Sequence, residues 1–287
     1  MNVHGCDCSI VVKTTHREMD IPYSEETLRE GFSLLQEEAS IEGDGISRAI
    51  RKRGGVTGCV VSPFTIETAP LLLYLAFGLA GLPVFVSETR SINQHRLNLL
   101  PMEDTEYFDL IQDRGHERKL YESCRVKGFE LRIVRGEAIK LKLDMQGEYP
   151  SIVYPYVNTF PSETGERFNG DNVKYKINGQ EYKNIYGMTL STKKEGGTKT
   201  ELWIKRSLDQ GSEIPEIIDE MTITAQLLRD KYEFRHFGTF RITLNRLFLT
   251  TDETDVNSAG AVIGPLRYYV AGVVSAEVFT STGDNIA

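Results

Sequence analysis

The strongest constraint on this chain is an unbroken two-residue alternation from Ala138 to Gln146. There Ile139, Leu141, Leu143 and Met145 interleave with Lys140, Lys142 and Asp144. A period of two sends the apolar set to one side of a pleated backbone and the charged set to the other, so the segment reads as a half-buried strand. Arg125 to Val134 alternates in the same way through Val126, Phe129, Leu131 and Ile133, with an irregularity at Gly128. Arg135, Gly136 and Glu137 form a short glycine-containing connection, and the two strands read as a hairpin.

The same pattern predicts strands near residues 56–66, 97–100, 184–193, 199–205, 222–228, 240–249 and 268–279. Turn residues separate them, as in Asn169-Gly170-Asp171, Asn178-Gly179 and Gly196-Gly197. Many short, closely spaced strands imply a mainly β fold, an antiparallel sandwich or barrel with one or two flanking helices. Leu71, Leu72, Leu75 and Ala76 define the first helix. Thr68 is placed to cap it, Pro70 suits its first turn, and Gly78 ends it. The second is expected between Ser24 and Ala39, where Leu28, Phe32 and Leu35 share a helical face after a Ser24-Glu25-Glu26 start, although Gly31 lies inside it. The wider apolar run from Ala69 to Val86 is interrupted by Pro70, Gly78, Gly81 and Pro83 and lacks closely flanking cations, so it reads as core helix rather than membrane span.

Proline and glycine between Pro150 and Asn172 mark a connection. The expected organisation is an N-terminal arm over residues 1–31, a β half over 32–150, a connection over 151–175 and a second β half over 176–287. Val126 to Leu131 can be laid on Ile185 to Leu190, which leaves a duplicated fold as an alternative to chance alternation.

The net charge of −8 disfavours a role coating DNA, because phosphate is repelled. Four cysteines are too few for a disulfide scaffold in 287 residues, and the start lacks the basic and apolar segments of a signal peptide, so reduced thiols are expected. No Walker loop, GxGxxG, GxSxG or HExxH pattern occurs. His4, Cys6 and Cys8 carry zinc-type ligands, but no second cysteine pair follows, and a terminus with free thiols is the reading preferred. Asp252 to Asn257 and Glu103 to Glu106 read as solvated acidic loops rather than a calcium site or a carboxylate pair. No catalytic, cofactor-binding or metal-binding residue is expected, and the chain is not read as an enzyme. Arg48, Arg51, Lys52 and Arg53 make its one dense basic run. This is either a solvated loop before Gly54-Gly55 or a contact for the acidic surface of a neighbouring copy.

Several blocks taken together resemble the phage major tail tube protein family. The turn, strand and leucine helix over Gly54 to Gly78 belong to the likeness, as do Tyr121 to Gly128 with the hairpin ending at Gly147. The strand from Tyr186 to Thr192, its polar turn and the return from Leu202 to Arg206 extend it, so that it spans roughly residues 32 to 280. The resemblance implies two packed antiparallel sheets with a flanking helix, and copies whose sheets join into rings that stack as a hollow tube for DNA. It further implies a tape-measure protein inside the growing tube, a terminator at one end and tip or baseplate proteins at the other. The setting implied is the tail of a long-tailed phage, prophage or gene transfer agent, assembled in host cytoplasm, with DNA passing unbound, no cofactor and no membrane. Rings of six copies, or of three if the fold is duplicated, are both expected forms. The expected interface or lumen residues are Arg48, Arg51, Lys52, Arg53, Lys127, Glu130, Lys140, Lys142 and Asp144. Competing readings are another β-rich tail component, terminator or hub, and a ligand-binding β-sandwich. In the last, Trp203 matters, and its flanking Leu202 and Ile204 place it in or beside the core.

Overall fold

The computed structural model describes residues 9–15, 18–37, 48–78, 84–87, 92–114, 117–148, 151–152, 167–207, 213–229, 236–252, 255–256, 262–263 and 265–280. Strands dominate. In chain order they are β1 (Ser9–Lys13), β2 (Glu18–Asp20), β3 (Glu25–Glu26), β4 (Arg29–Glu37), β5 (Arg48–Pro63), β6 (Val84–Ser87) and β7 (Ile92–Asn98). Next come β8 (Phe108–Asp113), β9 (Arg118–Val134), β10 (Lys140–Gly147), β11 (Ser151–Ile152), β12 (Val173–Ile177), β13 (Gln180–Glu181) and β14 (Ile185–Lys193). The remainder are β15 (Lys199–Arg206), β16 (Ile217–Arg229), β17 (His236–Asp252), β18 (Asp255–Val256), β19 (Val262–Ile263), β20 (Pro265–Val270) and β21 (Val274–Thr280). The α-helix α1 (Ala69–Phe77) lies between β5 and β6. The fold is mainly β and antiparallel, as the alternation requires, and all strands but the β18–β19 pair join one hydrogen-bonded network. Among the described residues the network stays open, so of the two expected architectures the sandwich-like one is found and the barrel is not.

The principal sheet runs β4–β5–β10–β9–β14–β15–β20–β17. The expected hairpin sits at its centre as β9 and β10, and the irregularity at Gly128 is a bulge in which Gly128 pairs with Asp144, Val126 with Met145, and Lys127 between them is the extra residue. A second layer, β6–β7–β21–β17–β16–β12, covers the inner face. The layers share β17, and β20 with β21 behaves as one long strand against it. Residues 271–273 oppose only residues 245–246 there, one residue more on the β20–β21 side. Arg246 takes up the bend with φ 54°, and Gly272 passes so close that a Cβ on it would lie 2.3 Å from the Asn245 carbonyl oxygen. These paired distortions carry two strands from one layer into the other.

A comparable bend divides β9. Ser123, at φ 53°, donates its backbone N–H to Asp109 Oδ1 at 3.2 Å where the β8 register slips. Before this point β9 pairs with β8, which continues through β1 to β2; beyond it β9 enters the principal sheet. Between the layers lie Phe64, Phe168 and Phe240, joined edge to face at 5.3 and 5.2 Å, and Phe77 stacked on Phe129 at 5.2 Å.

Helix α1 obeys its sequence signals. Pro70 is in the first turn, and Gly78 ends the helix at φ 107° while its N–H bonds Tyr74. The capping differs from expectation: Thr65 Oγ1 accepts from the Thr68 N–H at 3.1 Å, and Thr68 makes no side-chain cap of its own. Every residue from Ala69 to Phe77 is buried, not only a sheet-facing stripe.

The helix expected between Ser24 and Ala39 is absent from the described part of that segment. Arg29 to Glu37 is strand β4, bonded to β5, and the Ser24 N–H bonds the Val61 carbonyl instead of opening a helix. Long-range pairing overrides the local spacing of Leu28, Phe32 and Leu35. Arg48 to Arg53 is not a loop either. It is the first part of β5, which continues 16 residues to Pro63 and bulges where Gly54 and Gly55 oppose Gly31. Gly55 is required at this bulge, since a Cβ there would sit 2.2 Å from the Gly147 carbonyl oxygen. The proposed 32–150 and 176–287 halves are contiguous through β9 and β14, which bond from Gly187–Val134 to Lys193–Gly128. The His4 to Cys8 fragment lies outside the described residues.

Candidate assembly surface

The side of the principal sheet turned away from the core follows from the alternation. Leu141, Leu143 and Met145 are buried, so Lys140, Lys142 and Asp144 face out; Leu202 and Ile204 are buried, so Glu201 and Trp203 face out. Register then assembles one row across the sheet and, past β17, onto the first residue of β16. Lys142 lies opposite Glu130, Glu130 opposite Ser191, Ser191 opposite Glu201, Glu201 opposite Tyr269, Tyr269 opposite Phe248 and Phe248 opposite Ile217. At the usual strand spacing these six steps span about 29 Å. The row begins charged and ends apolar, with Tyr269, Phe248 and Ile217 at 43, 42 and 60% exposure.

All five hairpin residues expected from the sequence lie on this outer side, and Lys127, Lys142 and Asp144 converge. With Thr27, Cys59, Lys193 and Glu195 they line a shallow groove of about 570 Å³ across β5, β10, β9 and β14. Lys142 Nζ stands 3.5 Å from Asp144 Oδ1. Burial disfavours its charged form, but Asp144, Cys59 and Glu130 outweigh that and hold its pKa above the usual lysine value. The groove therefore holds paired charges of both signs, not the purely acidic wall that a DNA-repelling surface calls for. Glu130 and Lys140 are outside the groove lining, and Arg48, Arg51, Lys52 and Arg53 lie on β5 beyond its pairing with β10.

Of the two positions expected for Trp203, in or beside the core, the structure gives the second, with the residue half-buried between Leu202 and Ile204. Its ring is on the outer face beneath the Arg267 guanidinium, 4.9 Å from the ring centroid. Arg267 is held there by Glu201, with Nη2 donating to the two carboxylate oxygens at 2.8 and 2.7 Å and Nε donating at 3.2 Å. In the acidic segment after Met102 the carboxylates of Glu103, Asp104 and Glu106 are exposed, as expected of a solvated loop, while Glu106 Oε2 also accepts from the Tyr74 hydroxyl at 2.6 Å and Thr105 is buried. Of the other acidic segment, Asp252 ends β17 and Asp255 begins β18.

Behind the groove, Lys194 lies between Lys193 and Glu195 in the β14–β15 connection, yet it is only 1% exposed. Its backbone N–H bonds the Lys127 carbonyl at 2.8 Å, while its ammonium finds no hydrogen-bond partner among the described residues. Burial lowers its pKa to about 8.

Sequence reasoning missed the apolar end of the row. A signal for it was present, because Leu247-Phe248-Leu249, Tyr268-Tyr269-Val270 and Ile217-Ile218 break alternation and force an apolar side chain outward. The fold and surface define a class, an open, mainly β sandwich-like protein with an exposed sheet face that changes from charged to apolar. No family model matches the chain, and no curated protein matches it in sequence.

Proposed function

We propose that this chain is a structural protein that self-associates into stacked rings and forms the hollow tail tube of a phage or phage-derived particle. The observation that carries the reading is the open principal sheet, with its exposed row from Lys142 to Ile217 and the β4–β5 strand pair that, among the described residues, continues beyond the last β10 pairing. An open sheet leaves edge hydrogen-bonding groups to be satisfied, and closure with neighbouring copies satisfies them all at once. The paired charges on the outer face suit a surface shared between copies better than one bared to DNA. The net charge of −8 favours passage of DNA without retention. In this role the partners are further copies of the chain, a tape-measure protein, a terminator, and tip or baseplate proteins. The site of action is the particle tail.

Negative-stain electron microscopy over a wide concentration range tests the proposal. Hollow rods, or closed rings that stack, of one diameter are expected. A protein that remains a compact monomer at every concentration overturns it, and one that stops at a single ring moves the assignment to a terminator or hub. A sugar-binding platform at Trp203 is disfavoured by the Arg267 side chain that already covers the ring.

A further inference from the structure

The two ends of the principal sheet differ in charge and shape. At one end β5 outruns its neighbour: β10 pairs with residues 56–63, so residues 48–55 have only β4 as a partner among the described residues. Such a ribbon is about 27 Å long. A two-stranded ribbon is marginally stable alone in water, so this one calls for a surface to lie on. Arg48, Arg51, Lys52 and Arg53 all fall within it.

At the other end, Ile217, Phe248 and Tyr269 form a contiguous exposed apolar strip across β16, β17 and β20. It is bordered on β16 and just before it by Glu216, Asp219 and Glu220, all exposed. The Asn178 side chain fixes this stretch by accepting the N–H groups of Asp219 and Glu220, each at 3.1 Å. The acidic rim is therefore presented on ordered backbone rather than on a loose loop. A rigid apolar strip with an acidic border fits a partner that is itself a β ribbon and carries cations. That partner is present in the same chain, at the opposite end of the same sheet. Complementary patches at opposite ends cannot satisfy one another within one copy lying flat; they join copies head to tail, and such contacts close into rings when the rotation allows.

We infer that the β4–β5 ribbon of one copy docks on the Ile217–Phe248–Tyr269 strip of the next, its basic run set against Glu216, Asp219 and Glu220. The inference rests on the proposed ring assembly and names the contact that builds it.

The test uses two charge-reversed full-length variants, one with Arg51→Glu and Lys52→Glu, the other with Glu216→Lys and Glu220→Lys. Each alone is expected to raise the concentration needed for assembly at least about tenfold, which corresponds to 1.4 kcal/mol. Both pairs of substitutions placed in one chain restore assembly. Mixing the two single-sided variants also restores contacts, but only between unlike copies, so the mixture closes rings of even number and fails to close rings of three. Circular dichroism confirms that each variant is folded. Zero-length carbodiimide coupling of mixed light and 15N-labelled wild type reads the contact directly, as an intermolecular Lys52–Glu216 or Lys52–Glu220 peptide. Rods without that peptide, and reversals that assemble like wild type, overturn this contact while the tube reading stands. The peptide without rods or rings keeps the contact and overturns the tube. Neither peptide nor assembly overturns both.

Discussion

Lys194 offers the sharpest test of the structure, because it is a lysine where the alternation of β14 calls for an apolar residue. Its pKa falls from 10.5 to about 8 through burial, with no partner at its ammonium among the described residues. Each unit of pKa difference is worth about 1.4 kcal/mol, so holding the charge inside costs on the order of 3 kcal/mol at neutral pH. Lys194→Met keeps the length and the apolar stem and removes the charge. Relaxation of the connection recovers part of the penalty in the native protein already, and the expected gain is about 1–3 kcal/mol. The sign with pH follows from linkage. The folded pKa is the lower one, so between about 8 and 10.5 the unfolded chain binds more protons, and stability rises with pH across that window. Below the window the penalty is present in full, and above it the penalty is gone. Urea unfolding of both proteins from pH 6 to 11 is the assay. The stability difference should be constant up to about pH 8 and then shrink, while thermal scans at pH 7 should show about 2–4 °C per kcal/mol gained. A variant no more stable than wild type at pH 7, or a difference that does not vary with pH, refutes a buried unpaired ammonium at this position.

Three further outcomes are expected. Phe129→Ala removes a buried ring stacked on Phe77 of α1 and should cost about 3–5 kcal/mol by chemical denaturation; a loss below about 1 kcal/mol would deny that helix and sheet are packed together there. Gly272→Ala forces a methyl group to within 2.3 Å of the Asn245 carbonyl oxygen, so it should destabilise by about 1–3 kcal/mol through strand displacement, with normal stability counting against the paired bend of β17 and β20–β21. Trp203 is the sole tryptophan and lies on the outer face, so acrylamide should quench the free protein's fluorescence and quench it less once rings form; equal quenching in both states would place Trp203 away from the contact.

The sequence made the strands legible wherever one face is buried, since there each residue reports its own side. Residues 138–146, 184–193 and 199–205 are of this kind, and their strands are found within a few residues. The helix was legible from Pro70, Gly78 and the leucines between them, because its termination is local chemistry. Residues 24–39 misled because Leu28, Phe32 and Leu35 sit at a helical spacing, and nothing nearby reveals that β5 lies alongside. The bends at Ser123 and Arg246 were hidden for a related reason: neither is a glycine, and each is imposed by a register slip against a distant strand. The candidate surface divides on the same principle. Its charged half was visible because Lys127, Glu130, Lys140, Lys142 and Asp144 belong to one hairpin, whose strands are joined by the short connection of residues 135–139. Its apolar half was not, because Ile217, Phe248 and Tyr269 come from three strands and become neighbours only through pairings set at the corner where the layers meet. A surface made in this way depends on that corner, so a substitution such as Gly272→Ala, which touches none of the row's side chains, should disturb ring assembly as well as stability.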